Sequence, residues 1–408
     1  MATTMARPQE QFRIGMLLSD SRYRSYTIQI IALFIFMLTV AWLVDNTIKN
    51  LAALGKDFSF AFLWQPASYD INQRLIEYTS RDTNARAAIV GILNTLLVAF
   101  LGCITATVIG VIAGVLRLSN NWLVARLMTV YIEAFRNVPV LIWILIIFAV
   151  VTEFFPAPRE FRDNVDEAIR ATPHLGGFLV MTNRGFYIPA PVWGAGSSVV
   201  VIGFLLSIVA IFVFGRWAKA RQEATGEILP TFWIKLGIFI LPATLLYFIM
   251  GMPIGLEYPE LKGFNFQGGT YMRGSLIALW LALSIYTGAF IAENVRAGIM
   301  AVSKGQTEAA SALGLRPNRT MQLVVLPQAL RVIIPPLISQ FLNLTKNSSL
   351  AIAVGYMDAT GTLGGITLNQ TGREMECIIL LMAFYLCASL LISAVMNWYN
   401  ERVKLQER

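Results

Sequence analysis

EAASALGLRPNRTMQLVVLP, residues Glu308 to Pro327, is a polar segment set between two long apolar stretches, and its turn chemistry is explicit. Ala309, Ala310 and Ala312 give a narrow helical surface able to enter a groove. Glu308 opens the segment with a charge suited to a helix N-terminus. Gly314 permits the chain to turn, and Pro317 suits the first turn of a second helix. Pro327 is expected to bend or stop that second helix. The segment reads as a helix-turn-helix exposed on one side of a membrane.

The membrane setting follows from composition. Hydrophobic residues make up 56% of the 408 and charged residues only 14%. A span needs ~20 apolar residues. Eight are expected, at about 27–44, 89–115, 136–155, 198–215, 233–251, 274–292, 331–356 and 377–398. Arg7, Arg13, Arg22 and Arg24 precede the first, and basic residues favour the N-terminus, the even-numbered loops and the C-terminus. That bias puts both termini and the Glu308 loop in the cytoplasm, and it accounts for the net charge of +8 without nucleic acid.

Little in the chain supports chemistry. Cys103, Cys377 and Cys387 fall in or at apolar spans without metal-ligand spacing, and His174 is the only histidine. No phosphate-cradling G-x-x-x-x-G-K-[ST] stretch occurs, so ATP hydrolysis, if it drives the protein, belongs to another chain. No catalytic group and no metal or other cofactor is expected here.

The pattern E-A-A, three residues, G, nine residues, V324, one residue, L-P resembles the cytoplasmic loop of ABC importer permeases, with Val324 in place of the usual Ile. YIEAFRNVPVLI (Tyr131 to Ile142), TGAFIAENVRAGI (Thr287 to Ile299) and LTKNSSLA (Leu344 to Ala351) further resemble the histidine/glutamine type of amino-acid permease. A long insertion at 156–273 is similar to that of the general L-amino-acid permeases. The resemblance implies an all-α polytopic protein with the type I ABC importer permease fold and an inserted helix pair. Its parts would be a cytoplasmic segment 1–26, a first span and external loop 27–88, a permease core 89–155, the insertion 156–273, a second core part 274–399 with the coupling loop at 300–330, and a tail 400–408. It implies a bacterial inner-membrane location, two ATPase subunits that use ATP and Mg, a second permease, and a periplasmic amino-acid-binding protein.

By the same resemblance Glu308, Ala309, Ala310, Leu313, Gly314, Leu315, Arg316, Leu326 and Pro327 form the coupling element that docks on the ATPase. Glu133 with Arg136, and Glu293 with Arg296, are spaced i, i+3 and are read as braces at the inner face. Asn343, Lys346, Asn347, Ser348 and Ser349 form a polar cluster inside an apolar segment that Pro335 and Pro336 are expected to break. Ionisable groups there are costly in lipid, so pathway or gating roles are assigned to them. Gly288, Gly355, Gly361, Gly364 and Gly365 are read as packing glycines, and GTLGG after Asp358 as an external turn. An ion-coupled secondary transporter of polar solutes is the competing reading, and it leaves the Glu308 loop unexplained.

Overall fold

A computed structural model describes residues 21–403 except 54, 56, 164, 168, 169 and 228. Arg7, Arg13 and the last five residues of the tail lie outside the described residues. The chain forms two compact units, Met1–Trp64 and Gln65–Arg408. The first contains α1 (Ser21–Ala53), apolar along its length. Its Thr27, Thr39 and Thr47 hydroxyls donate to the carbonyls four residues earlier, so these three donors are satisfied within the helix.

The second unit is organised around α2 (Asn84–Arg117), which Thr83 caps by accepting from the Arg86 amide. α3 (Trp122–Asn137) follows, capped by Asn121, and then α4 (Val140–Phe154). The expected third span, 136–155, is corrected here. Val138 is extended before Pro139, as the proline ring requires of its predecessor, and α3 and α4 meet at 109°. α4 has only 15 residues, roughly 22 Å, too little to cross alone. Among the described residues seven helices are long and apolar enough to cross a membrane, and the bent pair makes an eighth if taken as one span.

The insertion holds α5 (Ser197–Thr225) and α6 (Thr231–Ile249), which pack on each other, together with short strands absent from the sequence reading. β1 (Val180–Thr182), β2 (Gly185–Ile188), β3 (Ala190–Trp193), β4 (Ile254–Glu257), β5 (Glu260–Lys262), β6 (Asn265–Gln267) and β7 (Thr270–Arg273) pair antiparallel as β1-β2-β7, β3-β4 and β5-β6. The α5–α6 hairpin is thus inserted between two paired strands, Val192 lying opposite Gly255. Among its described residues the stretch before α5 also contains two single turns, Pro158–Phe161 and Leu175–Gly177. Gly185 sits at the start of β2, where a Cβ would lie 2.4 Å from the Met272 carbonyl oxygen. Replacing Gly185 by Val is therefore expected to unpair β2 from β7 and destabilise the protein by about 2 kcal/mol, read as a lower melting temperature of the purified chain.

β7 runs directly into α7 (Gly274–Met300), the most enclosed of the long helices. α2 crosses it on a stripe of small residues. A Cβ on Gly110 would meet Ile291 Cβ at 2.6 Å, and one on Gly114 would meet the Ala292 carbonyl oxygen at 2.6 Å. Backbones approach this closely only where side chains are absent, the general way helices pack in lipid. Trp280 Nε1 donates to Thr105 Oγ1 at 3.1 Å across the same contact.

After α7 come α8 (Lys304–Ala312), the single turn α9 (Pro317–Thr320) and α10 (Leu326–Asn347), and the chain ends with α11 (Leu368–Thr371) and α12 (Glu374–Val403). α10 runs unbroken through Pro335 and Pro336, contrary to expectation; the regular helix gives way at Ser348 instead. There Ser348 Oγ donates to the Thr345 carbonyl (2.7 Å) and Ser349 Oγ to that of Lys346 (2.8 Å). These bonds compete for carbonyls that the next turn of α-helix needs, and Ser348–Val354 tightens to a 3-10 helix.

The segment after Asp358 is also corrected. Thr360–Thr367 is a wide helical turn pressed on α2, where a Cβ on Gly91 would fall 2.1 Å from Thr362 Oγ1. Gly355 turns the chain at φ 66° with open space around its Cα, so its role is conformational and not packing.

Candidate functional site

The polar segment Glu308 to Pro327 stands out from the C-terminal end of α7. α8 begins at Lys304, four residues before Glu308, so Glu308 lies in the helix body and not at its N-terminus. Its end is a complete Schellman motif. Gly314 takes φ 77°, its N–H donates to the Ser311 carbonyl (2.9 Å), and the Leu315 N–H donates to that of Ala310 (3.1 Å). Pro317 occupies the first turn of α9. Pro327 does not stop the chain. Lacking an N–H, it is accommodated by a π turn, Met321–Val325, whose last bond runs from the Leu326 N–H to the Met321 carbonyl.

Packing divides this loop into a seated side and an open one. Ala310 and Thr320 are buried, and Gln328 Nε2 reaches Gln306 Oε1 at 3.5 Å, tying α10 to α8. Glu308, Ala309 and Arg316 are exposed, Leu315 is half-buried, and Leu313 is 83% exposed. Within this chain the Leu313 side chain therefore contributes almost nothing to folding. Leu326 is exposed and Pro327 half-buried on the following turn.

Beneath the loop the charged side chains converge. The Glu293 carboxylate accepts from Arg117 Nη1 at 2.5 Å and from Arg296 Nη2 at 2.5 Å, with Arg296 Nε at 3.1 Å completing a bidentate grip. Glu133 lies 3.5 Å from Arg117 Nη2, which brings α3 into the same network. Glu133 and Arg136, though i, i+3, take different partners: the Arg136 guanidinium sits over the Phe290 ring at 5.4 Å. Arg117, 17% exposed, joins α2, α3 and α7, and sequence spacing alone did not reveal it because it acts across 176 residues. Replacing Glu293 by Gln removes the carboxylate that Arg117 and Arg296 share and leaves Arg117 only its longer contact to Glu133, so a loss of about 2 kcal/mol is expected, discounted for the partial exposure. Thermal unfolding in detergent checks it, and Asp at 293 should restore part of the loss.

The second candidate cluster lies at the end of α10. Ser348 is buried, Asn347 and Ser349 are half-buried, and Asn343 and Lys346 are exposed on the helix surface. Among the described residues Lys346 makes no ion pair. A cation on an outward helix face within an apolar span needs another group to meet it. The described residues contain no group of three or more His, Cys, Asp or Glu side chains placed to hold a metal.

Long apolar helices packed as a bundle and carrying a short exposed helix on a braced loop mark a polytopic membrane protein. Residues 106–405 match the family described as binding-protein-dependent transport system inner membrane component, and the chain belongs to that family. It is 53% identical, over the full length of both chains, to the glutamate/glutamine/aspartate/asparagine transport system permease protein BztB of Rhodobacter capsulatus. It is 44% identical to the general L-amino acid transport system permease protein AapQ of Rhizobium johnstonii, covering 95% of this chain and 94% of that one. Identity to the putative amino-acid ABC transporter permease protein YhdX of Escherichia coli is also 44%, over 94% of this chain and 95% of that one.

Proposed function

We propose that this chain is the permease subunit of an ABC importer that carries L-amino acids across the bacterial inner membrane, with polar and acidic amino acids among its substrates. The single observation that carries the mechanism is α8, an ordered helix whose C-cap residue, Leu313, leaves its apolar side chain 83% exposed. A groove on a separate ATPase subunit supplies its partner. The ATPases hold ATP and Mg and do the hydrolysis; this chain binds neither and is not an enzyme. Their closure moves α8, and the Arg117–Glu293–Arg296 network passes the displacement to α7, α2 and α3 as one body. The coupling needs only that α8 makes different contacts in the two states.

One chain offers one docking helix, so two permeases complete the pathway, and the exposed Lys346 belongs at their shared face. The second is a shorter paralogue in this reading. A periplasmic binding protein delivers the solute to the opposite side, and both termini and α8 lie in the cytoplasm. The ion-coupled alternative is not favoured, because the chain belongs to a family of binding-protein-dependent systems.

The test is uptake of a labelled amino-acid panel by proteoliposomes carrying both permeases, the ATPase and the binding protein. Accumulation is expected only with internal ATP and the binding protein present. Uptake that persists without ATP and collapses with an ion gradient would overturn the reading.

A further inference from the structure

Where the strand-bearing insertion meets the C-terminal end of α4 and the N-terminal end of α7 there is an open cavity of about 470 Å³. α7 begins at this cavity and ends at the α8 loop, a length of roughly 40 Å at 1.5 Å per residue. The cavity is therefore at the face opposite the ATPase-docking helix. Its size is in the range of small-molecule sites, roughly 300–1,000 Å³.

Its lining is built, not incidental. Arg184 and Arg273 both face it, together with Asn183, Asn265, Tyr271 and Ser275, and none of its lining residues is acidic. Asn183 and Arg184 are presented by the tight turn between β1 and β2. Thr182 Oγ1 accepts from the Arg184 and Gly185 amides and donates to the Gly185 carbonyl, which fixes that turn. The Arg184 carbonyl in turn accepts from the Gly274 amide (3.1 Å) and from Tyr271 Oη (2.8 Å), which fastens the turn to the start of α7. Burial holds the Tyr271 hydroxyl above its ordinary pKa, against the pull of Arg273 and Arg184, so it stays a neutral donor.

Two polar atoms in this lining are buried without a hydrogen-bond partner: Ser275 Oγ, in a residue 2% exposed, and Asn183 Oδ1. Ser275 is also in the first turn of a 27-residue helix, where amide groups and the helix dipole favour an anion. Burying such groups unpaired costs about 1–3 kcal/mol each, a cost that a ligand with matching groups removes. Two guanidinium groups and a helix N-terminus match carboxylates, and the orphaned amide oxygen of Asn183 matches an ammonium donor.

We propose that this cavity is an outer vestibule that binds a free α-amino acid, with acidic ones preferred, before the solute enters the membrane pathway. Arg184 and Arg273 hold its carboxylates, and a turn of the Ser275 and Asn183 side chains toward the cavity brings Ser275 Oγ to a carboxylate and Asn183 Oδ1 to the ammonium group. The inference rests on the import reading above for its physiological direction, but the binding it asserts does not require transport.

The test uses the reconstituted permease pair with its ATPase, without ATP and without binding protein, and measures equilibrium binding of tritiated L-glutamate. Saturable binding is expected, competed by unlabelled L-aspartate and not by L-alaninamide, which lacks a carboxylate. Replacing Arg184 by Gln, or Arg273 by Gln, is expected to weaken binding about tenfold or more, the effect of one charge-assisted hydrogen bond. Arg184→Lys should retain more than Arg184→Gln. Competition by L-alaninamide equal to that by L-aspartate overturns the proposal on the native complex alone, whatever becomes of the variants. So does an absence of saturable binding, or an affinity unchanged in both Gln variants. Continued ATP-driven uptake by a native complex that fails to bind glutamate would overturn the vestibule and leave the importer standing; loss of ATP-driven uptake in the native complex would overturn the importer itself.

Discussion

Leu313→Glu is expected to lower ATP-driven uptake by about thirtyfold or more and to release the ATPase from the purified complex, while the permease itself unfolds as before. The argument turns on where the side chain spends its apolar surface. At 83% exposure Leu313 buries little in its own chain, so its replacement should change the stability of the permease by no more than about 0.5 kcal/mol. In the importer proposed above it would enter a groove of the ATPase, and an apolar anchor at the centre of such a contact contributes about 2 kcal/mol or more, which is the thirtyfold effect. A carboxylate at that position adds the cost of desolvating a charge. Glu308→Lys, reversing an exposed charge on the same helix, should act in the same direction with a smaller effect. Co-purification of the ATPase, uptake and permease melting are measured together. An ATPase retained at native stoichiometry by the Leu313→Glu complex would remove α8 as the docking element and with it the proposed coupling.

The loop that carries this prediction was largely legible because its structure is local. Gly314 at positive φ and Pro317 in a first turn are consequences of residue type, and the hydrogen bonds that end α8 close within five residues. The start of α8 was missed from sequence, although extended Ser303 followed by Gln306 has the spacing of a capping box, and so was the absorption of Pro327 by widening a turn instead of ending a helix. Elements set by distant partners were harder still. GTLGG has the composition of a turn, yet Thr360–Thr367 is helical because glycine at 91 lets that segment lie directly on α2. Strands of three or four residues leave almost no period to detect, and they draw the cavity lining from segments as far apart as Asn183 and Ser275. The Arg117 bridge belongs to the same class: its partners lie on two other helices.

The glycines offer the sharpest separation between backbone conformation and packing, and Gly114→Val carries the largest expected stability effect among the substitutions proposed for this chain. At Gly314 a Cβ would meet nothing within 4 Å, so Gly314→Ala costs only the left-handed backbone conformation, about 1 kcal/mol. At Gly114 the φ is ordinary, but a Cβ would lie 2.6 Å from the Ala292 carbonyl oxygen and 2.8 Å from Val295 Cβ. The first of these is backbone of α7 and cannot rotate away, so the two helices must separate. Separation would be felt along the whole crossing, since Gly110 meets Ile291 one turn earlier and Trp280 reaches Thr105 further along. Overpacking in a fitted interface costs typically 1–3 kcal/mol and more where backbone must shift, so about 3 kcal/mol or more is expected for Gly114→Val. The readout is the temperature at which the detergent-solubilised complex loses its size-exclusion peak, compared among native, Gly314→Ala and Gly114→Val. A Gly114→Val complex as heat-resistant as the native one would mean that α2 and α7 do not meet as described, and that displacement of α8 must reach the bundle by a path other than this contact.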